Sequence, residues 1–188
     1  MSSLVFPRRD CMKQAGKDAL GRIILPEMDT LVLSPSGHFY IHYDTTGNEA
    51  PDITDNDGNR IPDYVDEVGI IADSARKVLV DVSFLGYAVE PEDEDGIYDI
   101  YIRKLNTGEY GWCNHVQNGI SYIKIRNEYD IFSSSSPLSS LQLMRITLGH
   151  EYFHAIQWGY RFSITDLINN KYFYEMSSTW FEDILIPD

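Results

Sequence analysis

The stretch His150-Glu151-Tyr152-Phe153-His154 decides the fold around which this chain is built. Residues four apart lie on one face of an α-helix, about 6 Å apart along its axis. His150 and His154 can therefore direct imidazole nitrogens at one metal ion, while Glu151 lies one step round the helix, within reach of a water molecule. The pentapeptide predicts a zinc-binding helix.

Helical spacing extends on both sides of this pentapeptide. Ser136-Pro137 predicts the start of the helix, because serine suits an N-cap and proline suits the first turn. Gly159 predicts its end, and a further helix is predicted over Asn170–Leu185. Apolar positions at helical spacing predict a third helix over Tyr64–Ser83.

Strand patterns lie between these helices. Phe39, Ile41 and Tyr43 alternate with polar residues, which predicts a strand with one apolar face. β-Branched and aromatic residues predict two more strands at Ile97–Ile102 and Gly119–Ile125. Asp10–Leu20 is compatible with a short helix ended by Gly21.

Composition limits the classes of function that the chain can have. With 188 residues, 43% of them hydrophobic, it can form a core in one domain or two small lobes. A net charge of −14 disfavours nucleic acid and anionic membranes as partners, whereas carboxylates suit hard divalent cations. No apolar run approaches the roughly 20 residues of a membrane span, and the first residues lack the long apolar core of a signal peptide. Cys11 and Cys113 could form one bridge or remain thiols.

Two histidines leave a catalytic zinc site incomplete, because such sites have three protein ligands and an open fourth position. Acidic residues downstream supply the candidates, which are Asp166, Glu175, Glu182 and Asp183. Glu175, which lies 21 positions after His154, is preferred.

An HExxH helix followed by a glutamate about twenty residues later resembles the gluzincins. Glu175 with Ser178 is similar to the Glu-x-x-Ser element of that group, although Thr179 replaces the aspartate that follows the serine in thermolysin-type members. The resemblance implies zinc bound by His150, His154 and Glu175, with Glu151 as the general base of peptide hydrolysis. Glu182 remains open either as the residue that orients His150 or as the third ligand itself.

A second metal site is predicted in the loop Asp55–Asp66. Its oxygen ligands occupy the spacing of an EF-hand-type calcium loop, namely Asp55, Asp57, Asn59, the backbone carbonyl of Ile61, Asp63 and Asp66. Arg60 replaces the usual glycine at the sixth position, and Asp66 replaces the usual glutamate at the twelfth. A turn-rich acidic linker is the alternative.

Several segments in this order resemble the catalytic region of a little-characterised family of secreted bacterial, gluzincin-type metalloproteases. They are Ser34–Gly47, Ile61–Asp66, Tyr98–Tyr101, Tyr110-Gly111 and His150–Gln157. The resemblance implies an extracellular setting, peptide or protein substrates, and the cofactors Zn²⁺ and Ca²⁺. Zincins often bind extended peptides at a strand edge, so Gly119–Ile125 is either such an edge or an ordinary internal strand.

The sequence thus predicts an α+β, zincin-like domain over residues 34–188, preceded by an N-terminal extension or pro-segment remnant over 1–33. Its fold resembles a thermolysin-type upper lobe, with a small mixed β-sheet, an HExxH helix and a C-terminal glutamate helix. The expected function is that of a monomeric zinc endopeptidase with calcium as a structural ion. The alternatives are a non-catalytic, calcium-binding extracellular module and an inactive fragment of a larger metalloprotease.

Overall fold

A computed structural model of the chain describes residues 12–14, 24–81, 83–91, 96–117, 119–132, 136–160 and 164–185. Within these ranges the chain forms six strands, which are β1 (Met12–Gln14), β2 (Thr30–Leu33), β3 (Phe39–Tyr43), β4 (Tyr98–Arg103), β5 (Gly111–Gln117) and β6 (Ile120–Arg126). The same ranges contain three α-helices, α1 (Asp63–Val80), α2 (Ser140–Gly159) and α3 (Ile164–Leu185). The elements form a small mixed α+β fold.

All six of the described strands belong to one mixed sheet with the order β1-β5-β6-β4-β3-β2. Pairing is parallel for β1–β5, β3–β4 and β4–β6, and antiparallel for β2–β3 and β5–β6. The crossover from β3 to its parallel neighbour β4 contains α1, as parallel connections require. The sequence predicts β3, β4 and β6 to within one residue at each end.

The helices pack on one face of the sheet. Strand alternation directs Ile41, Ile100 and Ile123 into the main core, whereas Tyr101 and Tyr122 belong to a separate cluster. Helix α1 packs against β3 and α2, and α2 packs against β5, β6 and α3. Because α2 has neighbours on several sides, almost all of its length from Leu143 to Trp158 is buried. The pentapeptide therefore lies at the centre of the domain.

The start of α2 differs from the sequence prediction. Ser139, not Ser136, is the N-cap, and the backbone N–H of Gln142 donates to its hydroxyl. The Gln142 side chain accepts in return from the backbone N–H of Ser139, at 2.9 Å. This reciprocal capping box satisfies two backbone donors, which Pro137 in the predicted first turn cannot do. The helix therefore starts three residues later than predicted.

The structure also bears on other sequence predictions. The strand at 120–126 is internal, because β5 and β4 pair with its two edges, so it cannot bind a peptide by edge pairing. Residues 12–14 form a strand, not part of a helix, since pairing with β5 outweighs the weak propensity of a short isolated helix. Helix α3 begins six residues before Asn170. The domain boundary predicted at residue 33 stays a prediction, and Leu33 is the last residue of β2.

In the described residues there is no helix with both the length and the apolar composition to cross a membrane.

Candidate metal centre

Three side chains from two helices converge on one point. Helix α2 contributes His150 and His154, one turn apart, and α3 contributes Glu175. The two Nε2 atoms lie 3.0 Å apart, and Oε2 of Glu175 lies 3.3 Å from Nε2 of His150 and 3.6 Å from Nε2 of His154. The structure thus brings together the three residues that the sequence singled out as zinc ligands.

The three distances fit a tetrahedral zinc ion. Ligand atoms about 2.0–2.1 Å from a tetrahedral ion are separated from one another by about 3.3 Å. The observed separations of 3.0, 3.3 and 3.6 Å scatter around that value. Three ligands of a tetrahedron leave one position open, which is the arrangement of a catalytic rather than a structural zinc site.

Glu182 orients His150. Its Oε1 lies 2.6 Å from Nδ1 of His150, on the side of the ring that faces away from the trio. Because a carboxylate can only accept, the Nδ1–H of His150 donates, and the neutral ring then carries its lone pair on Nε2. This contact is the one expected of an orienting partner, which is one of the two roles that the sequence left open for Glu182.

Gln157 orients His154 in the same manner. Its Oε1 lies 2.7 Å from Nδ1 of His154, and its Nε2 donates to the backbone carbonyl of Tyr174 and the hydroxyl of Ser177. These two contacts with acceptors fix which end of the amide is the oxygen. The Nδ1–H of His154 therefore donates to Gln157, and the lone pair of this ring is also on Nε2. Ser178 adds a hydroxyl 3.3 Å from the same Nδ1.

With both rings oriented in this way, the lone pairs of the two Nε2 atoms and an electron pair of Oε2 of Glu175 point at one another. Burial lowers the pKa of His154, which favours its neutral form. The second oxygen of Glu175, Oε1, is buried and has no hydrogen-bond partner among the described residues. A cation at the centre would neutralise this arrangement.

Glu151 lies beside the trio and against the sheet. It is 2% exposed, and a methyl group placed on Gly111 of β5 would lie 3.1 Å from its Cγ. The absence of a side chain at Gly111 therefore lets β5 approach this turn of α2 closely. The wall of the site next to Glu151 is thus the beginning of β5.

The other sequence candidates have different surroundings. Asp183 is exposed, and the side chain of Asp166 lies outside the described residues. Tyr152 is fully buried and donates to Glu90. The hydroxyl of Tyr160 accepts from the backbone N–H of Ala88, and Tyr172 is exposed. His115 stacks on Trp158, with ring centroids 4.1 Å apart.

The predicted calcium loop brings three of its carboxylates together. Oxygens of Asp55, Asp57 and Asp63 lie within 4.8 Å of one another. Oxygen atoms bound to one calcium ion at about 2.4 Å are at most about 4.8 Å apart, so the trio fits one ion. Asp66 lies outside this trio and accepts from Nδ2 of Asn59 at 2.7 Å.

Backbone donors stabilise the charged form of this loop. The N–H groups of Gly58 and Arg60 donate to Asp55, and that of Ile61 donates to Oδ1 of Asn59. Desolvation acts to raise the pKa of Asp55, but the N–H groups of Gly58 and Arg60 lower it. Arg60 has a φ of 76°, the left-handed conformation for which EF-hand loops use glycine at the same position. The loop therefore keeps the backbone bend although the glycine is absent.

Of the residues around the trio, sequence reasoning missed Gln157. The signal was present, because Gln157 lies three positions after His154 and residues at this spacing contact each other on a helix. Cys113 is buried in β5, and Cys11 lies outside the described residues. No protein-family model, no curated protein and no solved structure matches this chain.

Proposed function

We propose that this chain is a zinc-dependent endopeptidase with a zincin-like domain. The observation that carries the proposal is the convergence of Nε2 of His150, Nε2 of His154 and a carboxylate oxygen of Glu175 at the separations of a tetrahedral site. Each imidazole is oriented from behind by its own partner, which is typical of zinc-binding histidines. An HExxH helix supported by a second helix that supplies a glutamate also fits this domain type.

Zinc held by His150, His154 and Glu175 would polarise the carbonyl of a peptide bond and would make a water molecule more acidic. Glu151, next to His150 in the chain, accepts the proton from that water and returns it to the amine that leaves. His150, His154 and Glu175 hold their positions because Glu182, Gln157 and Ser178 fix the rings. The low exposure of the two histidines keeps bulk water away and strengthens electrostatic interactions within the site.

Calcium is proposed as a structural ion at Asp55, Asp57 and Asp63. This trio precedes and begins α1, which packs against α2, so an ion there would stabilise the support of the zinc helix. Exposed carboxylate loops of this kind are filled where calcium is millimolar, which agrees with the proposed extracellular setting.

A non-catalytic metal-binding module is the second candidate. The observation that favours it is the 2% exposure of Glu151, since a general base must reach a water molecule and the substrate.

Hydrolysis of fluorescein-labelled casein by the zinc-loaded chain distinguishes the two candidates. We expect Glu151→Gln to reduce the rate by about 10²–10⁴-fold while zinc content is unchanged. Glu128→Gln, the same change at an exposed position, serves as the matched control and should retain the rate. Zinc binding without hydrolysis by the unaltered chain would establish the non-catalytic module, and equal rates in the unaltered chain and Glu151→Gln would show that another group is the base.

A further inference from the structure

An acidic cavity lies between the beginnings of α1 and α2. Its volume is about 620 Å³, which is within the range of small-molecule sites. The walls come from the loop after β3, the first turns of both helices and the residues that follow β6. Met144, the last of its wall residues on α2, precedes His150 by six positions, about 9 Å along the helix axis. The cavity is therefore separate from the candidate metal centre.

The walls of this cavity carry an excess of negative charge. Among the described residues that line it, five are Asp or Glu and none is Lys, Arg or His. Arg145, outside the lining, lies 3.8 Å from Glu67 and offsets one charge, and the beginnings of the two helices contribute about half a positive charge each. Asp63 already belongs to the calcium trio. About two negative charges therefore remain for a ligand to neutralise.

The hydroxyl and amide donors in the walls are already engaged by the chain itself. Tyr64 and Tyr129 donate their hydroxyls to backbone carbonyls. Thr54, Asn56 and Ser140 each donate to the carboxylate of an aspartate. The walls consequently offer a surplus of acceptors, so a ligand that fits them has to supply hydrogen-bond donors.

Asn127 gives an independent indication of a missing donor. It lines the cavity and is 8% exposed. Its Nδ2 donates to the backbone carbonyls of Asn48 and Ala50, at 3.0 Å each, which identifies the other amide atom as the oxygen. That atom, Oδ1, is buried and has no hydrogen-bond partner among the described residues. Because buried acceptors are nearly always satisfied, an N–H group brought to this wall by a ligand would complete it.

The arrangement of the walls favours an organic cation over a metal ion. In the described part of the chain, Asp63 is the only lining carboxylate that belongs to a group of three close enough to share one ion. Leu141 and Met144 add apolar surface, which suits methylene groups. Leu141 is 43% exposed, so this apolar surface is accessible. An aliphatic chain with separated ammonium groups matches both the spaced carboxylates and the apolar surface.

We propose that this cavity binds an organic cation in which ammonium groups are spaced along an aliphatic chain. The ammonium groups contact carboxylates such as those of Glu67 and Asp130 and donate to the wall at Asn127, while the methylene groups contact Leu141 and Met144. Free polyamines and the lysine side chains of a polypeptide both present this chemistry. The proposal goes beyond the proposed function and is independent of it, because the residues that line the cavity include none of the zinc-ligand candidates.

Isothermal titration of the full, calcium-loaded chain with spermidine tests the proposal. The cavity variant is Glu67→Gln/Asp130→Asn, which removes two charges with little change in side-chain size. The matched control is Glu27→Gln/Asp183→Asn, which makes the same two changes at exposed positions outside the cavity. Both variants have the same net charge, so the general attraction between a cation and an acidic protein is equal in them.

We expect one spermidine per chain and an affinity about tenfold lower in the cavity variant than in the control variant, because each lost contact between ammonium and carboxylate weakens binding about threefold. Equal affinities in the two variants overturn the proposal. Failure of the unaltered chain to bind spermidine at about 1 mM also overturns it. Neither outcome depends on whether the chain hydrolyses casein.

The peptide acetyl-Lys-Ala-Lys-amide distinguishes the two sources of the cation. It is titrated in the Glu151→Gln background, so that it is not cut. A peptide that binds more tightly than spermidine, and loses affinity in the cavity variant, supports the site as one for lysine side chains. The reverse order of affinities supports it as a site for a free polyamine.

If the cavity variant does not fold, the NMR signals of the Asn127 side-chain amide in the unaltered, isotope-labelled chain decide. We expect spermidine to shift these signals, because a donor of the ligand comes to lie beside Oδ1. Unchanged signals of Asn127, with shifts spread over other acidic segments, would show that spermidine binds to the acidic surface in general and would overturn the proposal.

Discussion

Oε1 of Gln157 lies 2.7 Å from Nδ1 of His154, and the amide nitrogen of the same side chain donates to Ser177 and to the carbonyl of Tyr174 on α3. One side chain thus orients a zinc-ligand candidate and joins the two helices that carry the trio. Buried hydrogen bonds of this type determine which ring nitrogen has the lone pair.

Gln157→Leu should weaken zinc binding about 10–100-fold, because the Nδ1–H of His154 loses its acceptor and the ring loses its orientation. Gln157→Glu retains an oxygen at the same position and should bind zinc more tightly than the leucine variant. Isothermal titration with Zn²⁺ measures both affinities. Equal affinities in the two variants would contradict the role given to this contact, and thermal unfolding without zinc controls for a general loss of stability.

Gly149→Ala should separate α3 from α2 beside His150. A methyl group at Gly149 would lie 2.0 Å from Cδ1 of Leu185 and 3.2 Å from Cε1 of Phe181. The overlap should lower the free energy of unfolding by about 1–3 kcal/mol, as overpacking of a core does. It should also weaken zinc binding, since Glu182 follows Phe181 and orients His150.

The matched control for this change is the double variant Gly149→Ala/Leu185→Ala, measured by urea unfolding. Removal of the Leu185 side chain relieves the closest overlap, so the two changes should be less destabilising together than the sum of the single changes. Strict additivity would show that the helices do not meet at this point.

Removal of calcium should lower the thermal stability of the chain. An ion present at 100 times its dissociation constant adds about 2.7 kcal/mol to the free energy of unfolding. Asp57→Asn removes one charge from the carboxylate trio and should abolish most of this gain, whereas Asp52→Asn, an exposed aspartate outside the trio, should not. The measurement is the melting temperature with and without calcium, in zinc-loaded protein. An unchanged melting temperature in all three proteins would leave the loop as an acidic linker.

His115 should make the chain less stable in mild acid. Burial lowers the pKa of His115 below its ordinary value of 6.5. Above that value the ring is neutral in the folded and unfolded states alike. As the pH falls below 6.5 the unfolded chain binds the proton first, so the folded state loses stability until the pH is below the folded pKa.

His115→Phe keeps a ring for stacking on Trp158 but cannot titrate. Its free energy of unfolding should therefore decrease less than that of the unaltered chain between pH 7.5 and pH 5, measured by urea unfolding. The same decrease in both proteins would assign the acid sensitivity to other groups.

The features that the sequence predicts well are those encoded over short distances. Spacing by four residues is enough to place His150 and His154 together, and alternation is enough to identify β3. Strand β5 escaped prediction because Gly111–Gln117 contains glycine and asparagine and lacks clear alternation. It is a strand because β6 and β1 pair with it, and such pairing between distant residues leaves no local pattern.

The residues of the candidate site also fall into two groups, those placed by local helical spacing and those placed by packing between helices. The helix itself provides both histidines, but their partners Glu182 and Glu175 lie on a helix whose position only packing determines. The sequence therefore favoured Glu175 as the third ligand but left Glu182 open as the alternative. In the structure the two glutamates differ in the nitrogen of His150 that they contact. Glu175 faces Nε2, and Glu182 faces Nδ1.

A crystal structure of the zinc-loaded chain, with anomalous scattering recorded at the zinc absorption edge, tests the central claim most directly. We expect one zinc ion about 2.0–2.2 Å from Nε2 of His150, Nε2 of His154 and a carboxylate oxygen of Glu175, with Glu182 still bonded to Nδ1 of His150. Zinc bound through Glu182 in place of Glu175, or the absence of zinc between the two histidines, would contradict the account.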